Sequence, residues 1–151
     1  MNHQNYIHSL IDGTIHALKL VVPSQVNLQE YTITNEPYKQ KEIGVLIGLI
    51  GDLKGRIIID SASATFSGLG LKMFGMPLEG EMLESFTGEF GNMLVGNLCT
   101  YAGLQSINVD ITTPTVMVGE TKLSGFESAY HLPVSIEDIG DLTILITIDE
   151  A

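Results

Sequence analysis

The sequence predicts an α/β domain of the α+β kind, with long helices packed on a largely antiparallel sheet. Apolar residues recur at helical spacing in two long stretches, one through Ile7, Leu10, Ile11, Ile15 and Leu18, the other through Leu83, Phe90 and Leu94. Short runs rich in β-branched residues, separated by Gly, Pro, Asn and Asp turns, fill most of the remainder. Their order along the chain is helix, three strands, two helices, three strands, which suits helices laid on one sheet. The 151 residues are the usual size of one domain, read as 1–151. With 44% hydrophobic and 17% charged residues, the chain is too apolar to be disordered.

The first helix is expected over about 2–21, ended by Pro23-Ser24. Val26 to Thr34 alternates with period two and reads as a strand closed by Asn35-Glu36-Pro37. Glu42 to Ile50 and Gly55 to Ile59 form a hairpin across Gly51-Asp52-Leu53-Lys54. Asp60-Ser61 supplies an N-cap for a helix over about 62–74, which stops at Gly75-Met76-Pro77. A longer helix follows over about 81–104, with Glu79, Glu81 and Glu84 at its positive end. Strands over 108–118, 125–136 and 142–149 complete the chain. The last is apolar enough to lie inside a sheet and also plausible as an edge pairing across a two-fold axis.

Charge and cysteine usage narrow the function. Seven Lys+Arg against eighteen Asp+Glu give a net charge of −11, so phosphate backbones and anionic membranes would repel this chain. Neither nucleic acid nor membrane is an expected partner. Cys99 stands alone and cannot form an internal disulfide. Ile43 to Ile50 is too short to span a bilayer, and the N-terminus lacks the pattern of a signal peptide, so a cytoplasmic home is expected.

The long helix over 81–104 carries the most information. Leu83, Phe90, Leu94 and Tyr101 converge on a core face, with Phe86 and Asn97 nearby. Ser85, Glu89, Asn92 and Gly96, spaced four, three and four, form the opposite ridge. A solvated polar face would look the same, but glycines at 88, 91, 96 and 103 would not be expected there. Each costs about 1 kcal/mol against alanine inside a helix, which makes sense where another backbone must approach closely.

The run Ser85-Phe86-Thr87-Gly88-Glu89-Phe90-Gly91-Asn92-Met93-Leu94-Val95-Gly96-Asn97 resembles the signature helix of the CheC/CheX/FliY phosphatases of bacterial chemotaxis. Their motif is Asp or Ser, three residues, Glu, two residues, Asn, then a longer interval and a Pro. Ser85, Glu89 and Asn92 fit, and Pro114 follows after residues 93–113, one residue short of the family interval. The likeness extends over most of the chain, including the helix ending in Lys72-Met73-Phe74-Gly75. The two-helix CheC members carry the pair twice. Here Asp12-Gly13-Thr14-Ile15 in the first helix has no such pair, which points to the CheX-type members.

The resemblance implies a single CheC/CheX-like domain, a homodimer, and a substrate: the aspartyl phosphate of the response regulator CheY. Asn92 would position the attacking water and Glu89 would pair with the regulator's active-site lysine, the two catalytic candidates. Ser85 would be an accessory contact, and Gly88 and Gly96 a shallow surface for the regulator's loops. Mg²⁺ would belong to the regulator, and no metal is expected here. The alternative from a different class is a non-catalytic module that binds and sequesters a response regulator.

Other features have structural explanations. His3, His8, His16 and His131 are scattered, without metal-ligand spacing. Gly68-Leu69-Gly70 lacks the third glycine of a dinucleotide loop and reads as helix packing. Cys99 has no basic neighbour to activate it. Met73, Met76, Met82, Met93 and Met117 are expected to fill core gaps, and Asn97 to tie the helix to a strand. Glu137, Asp138, Asp141, Asp149 and Glu150 read as solvated turn and end residues.

Overall fold

The computed structural model describes residues 3–149, with side chains from Tyr6 to Asp149. The expected ends at Asn2 and Glu150 lie outside them. The elements are α1 (His3–Val21), β1 (Val26–Leu28), β2 (Thr32–Thr34), β3 (Tyr38–Gln40), β4 (Ile43–Gly51), β5 (Gly55–Ser61), α2 (Ser63–Phe74), α3 (Gly80–Leu104), β6 (Val109–Ile111), β7 (Thr115–Val118), β8 (Thr121–Leu123), β9 (Ala129–Ile136) and β10 (Gly140–Ile148).

Strands β9, β10, β5 and β4 lie side by side, every pair antiparallel. β1 and β2 follow one another along the outer side of β9, and β6 and β7 do the same along β4. Alternation along the strands gives the sheet two apolar faces. Ile57, Ile59, Ile144 and Ile146 join the helices in the main core. Ile58 and Leu145 point the other way, under a ribbon of β3 and β8 that brings Tyr38 and Leu123 onto them.

Because β10 is paired on both sides, it cannot be the free edge considered for a second copy; residues apolar on both faces belong in the interior of a sheet. The expected strand over 26–34 is two short strands. That over 108–118 is broken before Pro114, which has no N–H for a ladder. Thr112 spans the break: its N–H donates to the Gly48 carbonyl at 3.0 Å, and its Oγ1 accepts from the Gly48 N–H at 2.8 Å.

Asp60 and Ser61 do not cap α2. They belong to β5, where pairing with Thr143 and Leu142 of β10 holds them extended. The open N-terminus of α2 is met instead by Glu42, whose carboxylate accepts from the Ser63 N–H at 3.1 Å. Asp60 turns to the ribbon and accepts from the Tyr38 hydroxyl. Gln40 fastens the ribbon further, donating to the carbonyls of Met117 at 2.8 Å and Gly119 at 3.1 Å. α2 ends at Gly75, whose φ of 75° suits glycine and whose N–H returns to the Leu71 carbonyl at 2.8 Å. Gly68 and Gly70 lie within α2 and face Ile139 and Leu78, as helix packing requires.

α1 lies along α3. The Ser9 hydroxyl donates to Gln105 at 2.6 Å, Gly13 faces Leu98 and Tyr101, and the His16 and Tyr101 rings are 5.2 Å apart. Asn97 does not reach a strand: its amide donates to the Met93 carbonyl of its own helix at 2.8 Å, closing a local bond that leaves no reach across. No helix among the described residues is long and apolar enough to cross a membrane.

Candidate functional site

The ridge of α3 is held in place from behind. Leu83, Phe86, Thr87, Phe90, Gly91, Leu94 and Leu98 form its buried face, and Phe90 meets Phe66 and Phe86 at ring separations of 6.2 and 6.0 Å. Gly91 brings the helix down on β4, for a Cβ there would stand 2.7 Å from Val45 Cγ1. The same contacts orient the opposite face. Ser85 and Glu89 are exposed there and Asn92 is half-buried, as the spacing predicted. Side-chain hydrogen bonds within α3 come from Thr87, Asn97 and Thr100 to carbonyls one turn back. Among the described residues, Ser85, Glu89 and Asn92 make none, so the carboxylate and the carboxamide remain available to a partner.

The glycines divide between the two faces. Gly88 stands beside β7, where a Cβ would come within 3.1 Å of Val116 Cγ2, so its missing side chain serves the fold. Gly96 and Gly103 have nothing within 4 Å. Pro114 lies half-buried in the connection between β6 and β7.

One part of the site differs from expectation. Met76 and Met82 are not core fillers but are 48% and 57% exposed, and Phe74 is 60% exposed. Met76 follows the left-handed turn at Gly75 that ends α2, and Met82 stands in the first turn of α3. Together with Leu78, Phe86 and Met93 they line a groove of about 580 Å³ whose wall includes Ser85 and Glu89. The spacing 82, 85, 89, 93 is the available sequence signal, since intervals of three, four and four continue the polar ridge into an apolar stripe.

Groups elsewhere serve structure. Burial pushes the Cys99 thiol up to about 11, with Asp110 adding to the rise, so the thiolate is not accessible near neutrality. Burial also raises Asp60 above the usual carboxylate range against the opposing hydrogen bond from Tyr38, and lifts the Tyr38 phenol with it. His131 is edge-on to Tyr38 at 5.8 Å, while His8 and His16 are exposed. The described residues contain no cluster of three His, Cys, Asp or Glu able to hold a metal ion.

This architecture, with its longest helix presenting a Glu-x-x-Asn ridge, is that of a CheC-like domain. A CheC-like superfamily protein from Shewanella sp. PV-4 has the same fold, with a TM-score of 0.81 at 21% identity over 99% of this chain and 100% of that one. A family model described as chemotaxis phosphatase CheX matches residues 43–131, and the chain belongs to that family. It is similar to the CheY-P phosphatase CheX of Thermotoga maritima, 34% identical over 95 residues. That alignment spans 60% of this chain and 61% of the relative's length. The CheX of Borrelia burgdorferi, solved in complex with CheY, BeF₃ and Mg²⁺, matches with a TM-score of 0.79 at 25% identity over 96% of this chain and 98% of that one.

Proposed function

We propose that this protein hydrolyses the aspartyl phosphate of a CheY-like response regulator, with Asn92 and Glu89 as its working residues. The observation that carries the reading is the pair itself: a carboxylate and a carboxamide one turn apart on a rigidly backed helix, neither engaged within the fold. The relative from Thermotoga maritima is a CheY-P phosphatase, and the Borrelia burgdorferi relative binds CheY in the presence of BeF₃ and Mg²⁺, which supports the same partner here.

An acyl phosphate is already activated, so its hydrolysis needs an oriented water more than a strong nucleophile. The Asn92 side-chain oxygen accepts from that water while its NH₂ donates to a neighbour, fixing the water in line with phosphorus. As the water oxygen bonds to phosphorus, the bond from phosphorus to the aspartyl oxygen breaks. The products are the free aspartate carboxylate and inorganic phosphate, which carries the water's oxygen, while the water's protons pass to phosphate and solvent. Glu89 pairs with the regulator's active-site lysine and sets the docking register. Ser85 adds a contact, and Gly96, with open space beside it, leaves a low surface for the regulator's loops. Mg²⁺ resides on the regulator, and the protein works in the cytoplasm as a homodimer.

Sub-stoichiometric protein added to a phosphorylated regulator separates catalysis from sequestration. Repeated turnover, with phosphate released in excess of protein, is the expected result. A phosphoryl lifetime unchanged or lengthened under saturating protein identifies a sequestering module instead.

A further inference from the structure

The apolar groove beside Glu89 is a feature that the hydrolytic reading leaves unused. Single exposed hydrophobic residues are common on protein surfaces, whereas a contiguous cluster marks an interaction site. Here Phe74, Met76 and Met82 gather at the end of α2 and the start of α3, each about half or more exposed, around a groove of about 580 Å³. We propose that this groove receives a large apolar side chain of the response regulator, from the surface adjoining its phosphorylated aspartate, and thereby contributes to affinity and partner choice. The inference rests on the phosphatase reading of the ridge.

Continuity identifies the occupant. Ser85 and Glu89 belong both to the ridge and to the groove wall, so a protein that brings its lysine to Glu89 stands at the groove's rim. The lining suits a partner surface more than a rigid small molecule. Phe74 gives one fixed wall, with its ring edge-on to Phe86 at 5.8 Å and 89°. Met76, Met82 and Met93 supply much of the remaining apolar lining, and unbranched thioether side chains repack around apolar groups of different shape. Adaptable apolar contact would thus grade regulators by affinity, while the polar pair acts on the phosphoryl group they share.

The test is titration of the wild-type protein and of Met82→Gln, Phe74→Ser and Leu104→Ser into the same cell's regulator charged with beryllofluoride and Mg²⁺, alongside turnover of the phosphorylated regulator. Leu104 is 82% exposed at the far end of α3 and serves as the control. Met82→Gln and Phe74→Ser are each expected to weaken binding about tenfold and to raise KM without changing kcat, with Leu104→Ser at the wild-type value. Groove variants that bind within twofold of wild type overturn the inference, even where Asn92→Ala abolishes turnover and the phosphatase reading stands. Weakened binding with turnover unaffected by Asn92→Ala keeps the groove and overturns the hydrolytic role. A groove variant that dissociates a wild-type dimer while binding the regulator normally assigns the groove to a second copy and overturns the inference. Absence of regulator binding by the wild-type protein overturns both.

Discussion

The two faces of α3 draw on the same small vocabulary of residues under different constraints. Gly91 lies where a Cβ would press to 2.7 Å on Val45, whereas Gly96, five residues on, has nothing within 4 Å. Thr87 is fully buried and spends its hydroxyl on the Leu83 carbonyl, whereas Ser85, two residues earlier, is exposed. The inner face therefore answers to packing, and its substitutions should register as lost stability. The outer face is left free by the fold, and on the proposed function its substitutions should register in association and turnover while stability holds.

Substitutions graded by size sharpen that contrast. Phe90→Ala removes a fully buried ring between Phe66 and Phe86 and should cost about 3–5 kcal/mol in denaturant unfolding, with activity lost through the fold. Gly91→Ala should cost about 1–3 kcal/mol, because Val45 is buried and stiff and cannot easily yield. Gly96→Ala should instead stabilise by up to about 1 kcal/mol while weakening regulator binding. Equal effects at 91 and 96 would contradict the division between faces. Glu89→Gln, at an exposed position, should leave stability within about 0.5 kcal/mol and reduce the salt dependence of regulator binding.

The sheet's second face makes a separate prediction, in pH. Burial raises Asp60, so folding favours its protonated form. Its contribution to stability is complete below the unfolded carboxyl pKa and is lost as pH rises through the higher folded value. Asp60→Asn should flatten that part of the stability profile. Tyr38→Phe removes the hydrogen bond that lowers Asp60 and should steepen it, while costing about 1–3 kcal/mol for the carboxyl left without its donor. Profiles of the two variants that coincide with wild type would show that the ribbon is not fastened through this pair.

Local pattern carried much of this structure into the sequence. The intervals among Leu83, Phe90 and Leu94 identify the buried face of α3. The hairpin of β4 and β5 follows from its apolar runs and turn, and the Ser85, Glu89, Asn92 spacing is itself the ridge. The failures lie where distant contacts decide. Asp60-Ser61 has good capping chemistry, yet pairing with β10 draws it into a strand. β3 and β8 are three residues each and gain their order by joining one another across about eighty residues of chain. Met82 reads as a core residue by type, and only the arrangement of α2 against α3 leaves it in an open groove.

The most direct measurement is the single-turnover decay of the phosphorylated regulator with wild-type protein and with Asn92→Ala, both at concentrations shown by titration to saturate binding. Wild-type protein should accelerate phosphate loss. Asn92→Ala should bind normally, unfold at the same denaturant concentration, and lower the rate by about a hundredfold or more, as misplacement of a reacting water requires. Hydrolysis by Asn92→Ala at the wild-type rate would contradict the assignment of the water to this side chain.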